Sequence, residues 1–223
     1  MESKKKTSAK NKAIDAVAII SVYMDCVLER GEEPKNVFSF CKDAAIDESV
    51  FYNFFGSLDS LKQEIWVRFF ENTLLVIDKE SADKEHQAKD ELLTMYFTLF
   101  EILTLNRSYV VFSLKENKEG LKNLKSLKVF RKLFKKYIVL ILKDKSSEIQ
   151  EQLSKVSTPI LSEGAWLQFL FLLQFWIEDT SKGFEKTDIL IEKTVHATLD
   201  LLNTKPLESL FDLGKFLWKE KMD

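Results

Sequence analysis

The stretch 34–66, PKNVFSFCKDAAIDESVFYNFFGSLDSLKQEIW, constrains the fold of this chain most strongly. Apolar residues at 37–41 and 50–55 have the i, i+3, i+4 spacing of helical faces. Asp47 is a good N-cap for the second of these helices, and Gly56 can end it in a left-handed conformation. Two short helices joined by a tight turn form a helix-turn-helix, so the stretch predicts this motif followed by a long helix. The side chains expected to face its interior are Val37, Phe38, Phe40, Cys41, Val50, Phe51, Phe54 and Phe55.

These residues resemble the DNA-binding signature of the tetracycline-repressor (TetR) family. In that signature a tight turn leads into a short recognition helix ending in Tyr-x-x-Phe, and a serine and a leucine follow at the start of the next helix. Tyr52, Phe55, Ser57 and Leu61 occupy these positions, and the resemblance covers about residues 14–65.

The resemblance implies an all-α, TetR-like fold and a homodimeric transcriptional regulator. Residues 12–62 would form the helix-turn-helix domain, preceded by a flexible basic arm at 1–11. Residues 63–223 would form a C-terminal bundle for ligand binding and dimerisation. The residues expected to contact DNA are Lys42, Ser49, Tyr52, Asn53 and the lysines of the arm.

The sequence also departs from the family signature. Ala45 stands where the turn glycine is expected, so its backbone must avoid positive φ or be strained. Leu58 replaces a lysine that approaches a phosphate in the family, and Glu48 replaces a basic or small polar residue. Between residues 42 and 62 there are two lysines and four acidic residues. Since DNA affinity depends largely on neutralising phosphates, this head is poorly equipped to bind a duplex.

Composition supports a helical protein with a large core. Apolar residues make up 45% of the 223 residues, with 18 phenylalanines but only three prolines and six glycines, which argues against a turn-rich β fold. The formal net charge of −2 excludes a chain that binds nucleic acid through overall charge. The first twelve residues carry five lysines and one glutamate, which suits either a solvated tail or an arm that touches a polyanion or an anionic membrane.

Hydrophobic periodicity predicts helices along the rest of the chain. Gly31 ends the first helix and Pro34 opens the second. The apolar run YVVFSL is compatible with a strand, but the helical context favours a helix. The predicted helices are 12–29, 61–80, 92–105, 106–113, 121–142, 148–153, 158–177, 187–202 and 206–223.

The segment 165–177, AWLQFLFLLQFWI, is apolar on all sides. It is too short to span a bilayer, which needs about 20 apolar residues, so we expect it in the core. It can form a dimer interface, line a cavity for an apolar small molecule or lipid, or do both. The predicted pocket residues are Phe97, Phe100, Phe130, Phe134, Trp166, Phe169 and Gln174, and the predicted interface residues are Phe171, Phe175, Val195 and Leu199.

An alternative function keeps the fold but loses DNA binding, which leaves a lipid-binding or partner-binding module. The amphipathic segment 206–223 would then make peripheral membrane contact. No phosphate loop, metal-ligand spacing or nucleophile motif is present, so we expect no enzyme, cofactor or metal site. Cys26 and Cys41 are interpreted as reduced thiols of a cytoplasmic protein.

Overall fold

The computed structural model describes residues 14–80, 88–115, 125–144 and 158–202. Within these residues the chain contains no β-strand, so the all-α prediction is confirmed. The arm 1–11 and the predicted helices 148–153 and 206–223 lie outside the described residues. The α-helices are α1 (Ala16–Arg30), α2 (Val37–Ala44), α3 (Glu48–Tyr52), α4 (Leu58–Glu80), α5 (Ala88–Leu105), α6 (Arg107–Lys115), α7 (Lys128–Asp144), α8 (Thr158–Glu178) and α9 (Glu185–Leu202).

The chain divides into two compact units, one ending at Lys62 and the other beginning at Gln63. We call them the head unit and the body unit. The head unit contains α1, α2, α3 and the first turn of α4, and α2 packs against both α1 and α3.

Aromatic rings form the centre of the head unit. The Tyr23 and Phe40 rings lie 5.5 Å apart, and Phe40 and Phe51 lie 6.0 Å apart, both edge to face. All three side chains are buried. Edge-to-face pairs of this kind contribute beyond their buried area, so they hold α1, α2 and α3 together.

Local hydrogen bonds explain where the first helices begin and end. Asp15 caps α1 by accepting from the amide of Ala18 at 2.8 Å. Gly31 ends α1 in the left-handed conformation with φ 70°, as the sequence predicts, and its amide donates to the carbonyl of Val27. α2 begins at Val37 rather than at Pro34, because the side chain of Asn36 provides the cap.

The turn between α2 and α3 contains a strained alanine. Ala45 has φ 52° and ψ 43°, the left-handed region that favours glycine. Its amide donates to the carbonyl of Lys42 at 3.4 Å, and the amide of Ile46 donates to that of Cys41 at 2.9 Å. This pattern is a Schellman motif, and it requires the left-handed residue that alanine supplies here.

Three expectations for the helix-turn-helix were wrong. Asp47 makes no side-chain cap hydrogen bond to α3. Gly56 does not have positive φ, and α3 instead ends at Asn53 in a right-handed conformation. The Phe38 and Phe54 side chains are 61% and 45% exposed rather than buried, because α2 and α3 are too short to cover them.

A reciprocal pair of hydrogen bonds begins α4. The amide of Ser60 donates to the hydroxyl of Ser57 at 3.1 Å, and the amide of Ser57 donates to the hydroxyl of Ser60 at 3.0 Å. This is the arrangement of a capping box. The predicted restart of the chain near Ser57 is therefore confirmed in detail.

Aromatic side chains also fill the body unit, where α7 packs against α8 and α5 packs against α9. Phe130 of α7 is fully buried, and it lies at the centre of the ring cluster. The rings within 6.0 Å of it are Trp66, Phe70, Phe134, Trp166 and Phe169. α6 confirms that the YVVFSL run is helical.

The apolar helix α8 begins at Thr158, as predicted, and its 21 residues extend beyond the 13 of the apolar run. By length and composition alone, Ile160–Glu178 is long and apolar enough to cross a membrane, so the argument from shortness was wrong. Phe169, Leu172, Leu173 and Trp176 are nevertheless fully buried against the protein. The core helix of a soluble protein passes the same test, so length and composition alone do not identify a membrane span.

Candidate functional site

The four residues predicted to contact DNA all reach solvent in the head unit. Lys42 is exposed at the end of α2, and Ser49, Tyr52 and Asn53 are exposed on and just after α3. Phe51 is fully buried between them and anchors α3 to the head core. α2 and α3 therefore present one polar and aromatic face, which we call the α3 face.

The charge of the head unit opposes binding to phosphates. Residues 14–62 contain nine carboxylates and only four basic side chains. Two of the four cations are already paired, which leaves Lys35 and Lys42 without an ion-pair partner among the described residues. The ion pairs are Arg30–Asp43 (2.5 Å), Lys62–Glu33 (2.8 Å) and Lys62–Asp59 (3.1 Å).

These ion pairs also affect protonation. Burial by itself lowers the pKa of Lys62, but its hydrogen bonds to Glu33 and Asp59 outweigh this effect and raise the pKa overall. Lys62 thus stays charged, and its charge is used within the head unit. A lysine engaged by two carboxylates contributes little to the attraction of a polyanion.

An open groove of about 490 Å³ borders the α3 face, with which it shares Tyr52. The exposed rings of Phe38 and Tyr52 border it, together with the carboxylates of Glu33, Glu48 and Asp59. The sequence did not predict this groove, because Phe38 was assigned to a buried helical face. The remaining lining residues are Pro34, Lys35, Asn36, Val37, Ser57, Leu58 and Lys62.

The structure brings together five of the seven residues predicted to line a ligand pocket. The five are buried and in mutual ring contact, at centroid distances of 5.2–6.1 Å. Phe97 is 37% exposed, and Gln174 is an exposed residue that donates a hydrogen bond to Glu178. These two lie on the outer sides of α5 and α8, away from the cluster. The five clustered residues are Phe100, Phe130, Phe134, Trp166 and Phe169.

Two buried donors in the body unit lack an acceptor among the described residues. The indole nitrogen of Trp66, whose side chain is 1% exposed, has no hydrogen-bond partner there, and neither has the amide nitrogen of Gln168. By contrast, the indole of Trp176 donates to the hydroxyl of Thr104 at 3.1 Å. An unsatisfied buried donor costs about 1–3 kcal/mol, so these two groups suit a bound molecule that supplies an acceptor oxygen.

Only part of the predicted dimer interface reaches the surface. Val195 and Leu199 are buried inside the chain, at 1% and 9% exposure. Phe175 is half-buried, and Phe171 is 55% exposed. The first two residues face the body core because α9 packs on both α5 and α8.

An apolar stripe, of which only Phe171 was predicted as an interface residue, runs along the exposed side of α8. Ile160, Leu167 and Phe171 are 43%, 64% and 55% exposed, and their spacing of seven and four residues places them on one side of the helix. Gly164 lies between them, with open space where a Cβ atom would be. Ile189 of α9 is a further exposed apolar residue, at 51%. The heptad spacing is present in the sequence. It could not be recognised there because α8 also has apolar residues on its other sides.

The described residues offer no metal site, since nowhere among them do three His, Cys, Asp or Glu side chains come together. The two cysteines are free thiols, and burial raises the pKa of Cys41. Such a thiol is a poor nucleophile, because the reactive form is the thiolate.

Comparison with known families identifies the body unit. A family model described as tetracyclin repressor-like, C-terminal domain, matches residues 91–217. No curated protein matches the chain. The matched segment is more than half of the 223 residues, and it lies entirely outside the helix-turn-helix on which the sequence resemblance was based.

Proposed function

The chain belongs to the tetracycline-repressor family, whose all-α fold it shares, and from that premise we propose that it acts as a homodimeric, ligand-controlled regulator of transcription in the cytoplasm. The body unit would hold an apolar small molecule and join two copies, and the α3 face would contact DNA. The observation that supports this proposal is the exposure of all four candidate contact residues on and next to α2 and α3, two short helices joined by a tight turn. They are Lys42, Ser49, Tyr52 and Asn53.

The exposed stripe of α8 supports self-association. Three large apolar side chains on one helix face are costly to leave in water, at about 25 cal/mol for each Å² of apolar surface. Their seven-and-four spacing allows two copies of α8 to pack as in a helix bundle, and Gly164 allows close approach of the backbones.

Sedimentation velocity tests this step. Leu167→Glu and Phe171→Glu should each shift the protein towards monomer and raise the dissociation constant at least about tenfold, since each would bury an unpaired charge at the interface. Leu105→Glu is the matched control, because Leu105 is 79% exposed at the end of α5 and outside the stripe. Equal effects at all three positions would exclude the stripe as the interface.

Binding of a fluorescent random duplex, measured by anisotropy at low salt, tests the DNA step. Lys42→Ala should weaken binding several-fold and make the salt dependence shallower by about one unit, because one phosphate contact is lost. Asn53→Ala should weaken binding to the specific operator more than to random duplex. Lys79→Ala, an exposed lysine of the body unit, should leave both affinities unchanged.

The unpaired donors in the body unit support a ligand that is mainly apolar and carries an acceptor oxygen, such as a fatty acid. Decanoate should raise the melting temperature of the wild type, and Trp66→Phe should remove most of that rise, because it deletes the donor and retains the ring. Trp176→Phe makes the same chemical change where the donor is already satisfied by Thr104, so it should retain the rise. If decane stabilises the protein as well as decanoate does, the acceptor oxygen is not needed.

A second candidate function, a family member that has lost DNA binding and holds a lipid or a protein partner, is favoured by the acidic head unit. Residues 14–62 have nine carboxylates and four basic residues, so their net charge is negative, whereas a phosphate-binding surface is positively charged. Absence of heparin retention at low salt, together with binding to anionic liposomes that is lost on deleting 206–223, would favour this function over the first.

A further inference from the structure

The groove of the head unit combines aromatic rings with three carboxylates and two lysines. Phe38 and Tyr52 expose their rings to it, and Lys62 pairs with Glu33 and Asp59. Glu48 and Lys35 line it without an ion-pair partner among the described residues. Asp47, the residue before Glu48, is exposed, and its carboxylate makes no cap hydrogen bond. Such a surface suits an extended segment that carries positive charge on long apolar stems, which is the chemistry of lysine side chains.

The chain itself contains a segment of this kind. Residues 1–13, MESKKKTSAKNKA, lie outside the described residues and carry five lysines and one glutamate. The opposite balance holds in residues 14–62, with nine carboxylates and four basic side chains. The positive net charge of residues 1–13 nearly cancels the negative net charge of residues 14–62. The lysine-rich segment can therefore neutralise most of the acidic charge of the head unit.

The segment is long enough to reach the groove from the start of α1. Thirteen extended residues span about 43 Å. A domain of about 50 residues has a radius of gyration of roughly 10 Å. Because the segment is covalently joined to the head unit, its effective concentration at the groove is in the millimolar range, so weak ion pairs suffice for docking.

We propose that the groove of the α3 face is a docking site for the lysine-rich segment 1–13 of the same chain. The docked segment covers Tyr52 and neutralises Glu48 and its neighbours, so it competes with any other partner of the α3 face. Because its attraction to the groove is between exposed charges, docking weakens as ionic strength rises. The inference concerns the head unit alone, and it requires neither DNA nor a ligand.

Paramagnetic relaxation measured by NMR on the full chain tests the proposal. A nitroxide is attached to Ser3→Cys in a Cys26→Ser background, where the buried Cys41 is left unlabelled. At 20 mM salt we expect the strongest broadening at the amides around the groove, including those of Val37 and Phe38. At 500 mM salt this broadening should fall to less than about half, because charges are then screened within a few ångströms.

Two conservative double variants make the test specific. Asp47→Asn with Glu48→Gln should reduce the broadening at the groove to less than about half, since two attracting charges are lost. Asp25→Asn with Glu29→Gln removes the same number of charges from α1, outside the groove, and should leave the pattern unchanged. Circular dichroism checks that each variant is folded.

Three outcomes would overturn the proposal. One is broadening spread evenly over the head and body units at low salt. Another is an equal loss of broadening in both double variants. The last is broadening that appears only when spin-labelled chains without ¹⁵N are mixed with ¹⁵N chains that carry no label, because the segment would then dock on a second copy.

Discussion

Ala45 adopts the left-handed backbone conformation at the end of α2, where glycine would be less strained. For an L-residue with a Cβ atom this conformation costs about 1 kcal/mol. The Schellman hydrogen bonds and the burial of Ile46 and Cys41 maintain it. The family resemblance predicted that Ala45 must avoid positive φ or be strained. The structure shows positive φ, so the backbone at Ala45 is strained.

Ala45→Gly should therefore stabilise the protein, although glycine adds freedom to the unfolded chain. We expect the free energy of unfolding to rise by about 0.5–1 kcal/mol, measured by urea denaturation. Ala44→Gly is the matched control one residue earlier, at the right-handed end of α2, and it should lower that free energy by about 1 kcal/mol. A decrease in both variants would show that the left-handed geometry of Ala45 carries no strain.

At the scale of elements, the connection between α8 and α9 is held by two charged side chains. Arg107 of α6 donates to the carbonyls of Trp176 (2.9 Å) and Ile177 (3.0 Å) at the end of α8. Its guanidinium also lies 4.4 Å from the centre of the Trp176 ring and 4.5 Å from that of Phe184. A cation at a helix C-terminus is favoured by the helix dipole, so this single residue caps α8 and fastens α6 to it.

Arg107→Ala should lower the free energy of unfolding by about 2 kcal/mol, because two charge-assisted hydrogen bonds and a cation–π contact are lost. Arg107→Lys should recover only part of this loss, since lysine cannot reproduce the planar fork. Arg68→Ala removes an exposed arginine that pairs with Glu64 and Glu71, and it should cost less than about 0.5 kcal/mol. Similar losses for Arg107→Ala and Arg68→Ala would contradict the capping role.

Asp179 serves the other end of the connection by capping the start of α9. Burial by itself would raise the pKa of this carboxyl group, but hydrogen bonds from Ser181 and Thr187 outweigh it and lower the pKa to about 2. The amide and the hydroxyl of both residues donate to it, at 2.7–3.0 Å. Since the folded pKa lies below the unfolded value, this stabilisation is present above about pH 4 and is lost as pH falls towards 2.

Asp179→Asn should accordingly lower the free energy of unfolding by about 1–3 kcal/mol at pH 7, because an amide cannot accept from all four donors. Its stability should also decline less steeply than that of the wild type between pH 4 and pH 2. Asp200→Asn, an exposed carboxylate of α9, should leave the wild-type decline unchanged. Parallel pH curves for wild type and Asp179→Asn, measured by urea denaturation, would refute the role of this carboxylate.

At the scale of the whole molecule, charge is distributed unevenly around a net value of −2. Basic residues are concentrated in residues 1–13 and on the outer side of α7, and the head unit is acidic. Part of the α7 charge is used internally, because Arg131 and Lys135 both pair with Glu163 of α8. The hydrogen bonds from Lys135 and Arg131 lower the pKa of Glu163, with the larger effect from Lys135. They also join α7 to α8.

Reversing charge on the α3 face should reveal whether the acidic head limits DNA binding. Asp47→Lys with Glu48→Lys should raise the affinity for a random duplex about tenfold or more at 50 mM salt, because phosphate repulsion is replaced by attraction. Asp25→Lys with Glu29→Lys makes the same change in net charge on α1, away from the groove. An equal rise in both, measured by fluorescence anisotropy, would mean that net charge alone and not the α3 face governs the interaction.

The sequence by itself determined the all-α class and most helix positions, including those of α2 and α3, since these depend on local periodicity and on nearby capping residues. Gly31 and Ser57 are examples, because their hydrogen bonds reach only three or four residues along the chain. Local rules were less reliable at Asp47, whose side chain does not cap α3, and at Gly56, which does not end α3 in a left-handed conformation.

Only the tertiary structure decided which apolar residues are buried and which remain on the surface. α8 is apolar on every side, so its sequence could not show that Phe169 faces the core while Leu167 and Phe171 face solvent. Val195 and Leu199 look equally suited to a dimer interface or to a core until the packing of α9 against α5 places them inside. The physical reason is that burial is a property of neighbours distant in the chain, which a local pattern does not specify.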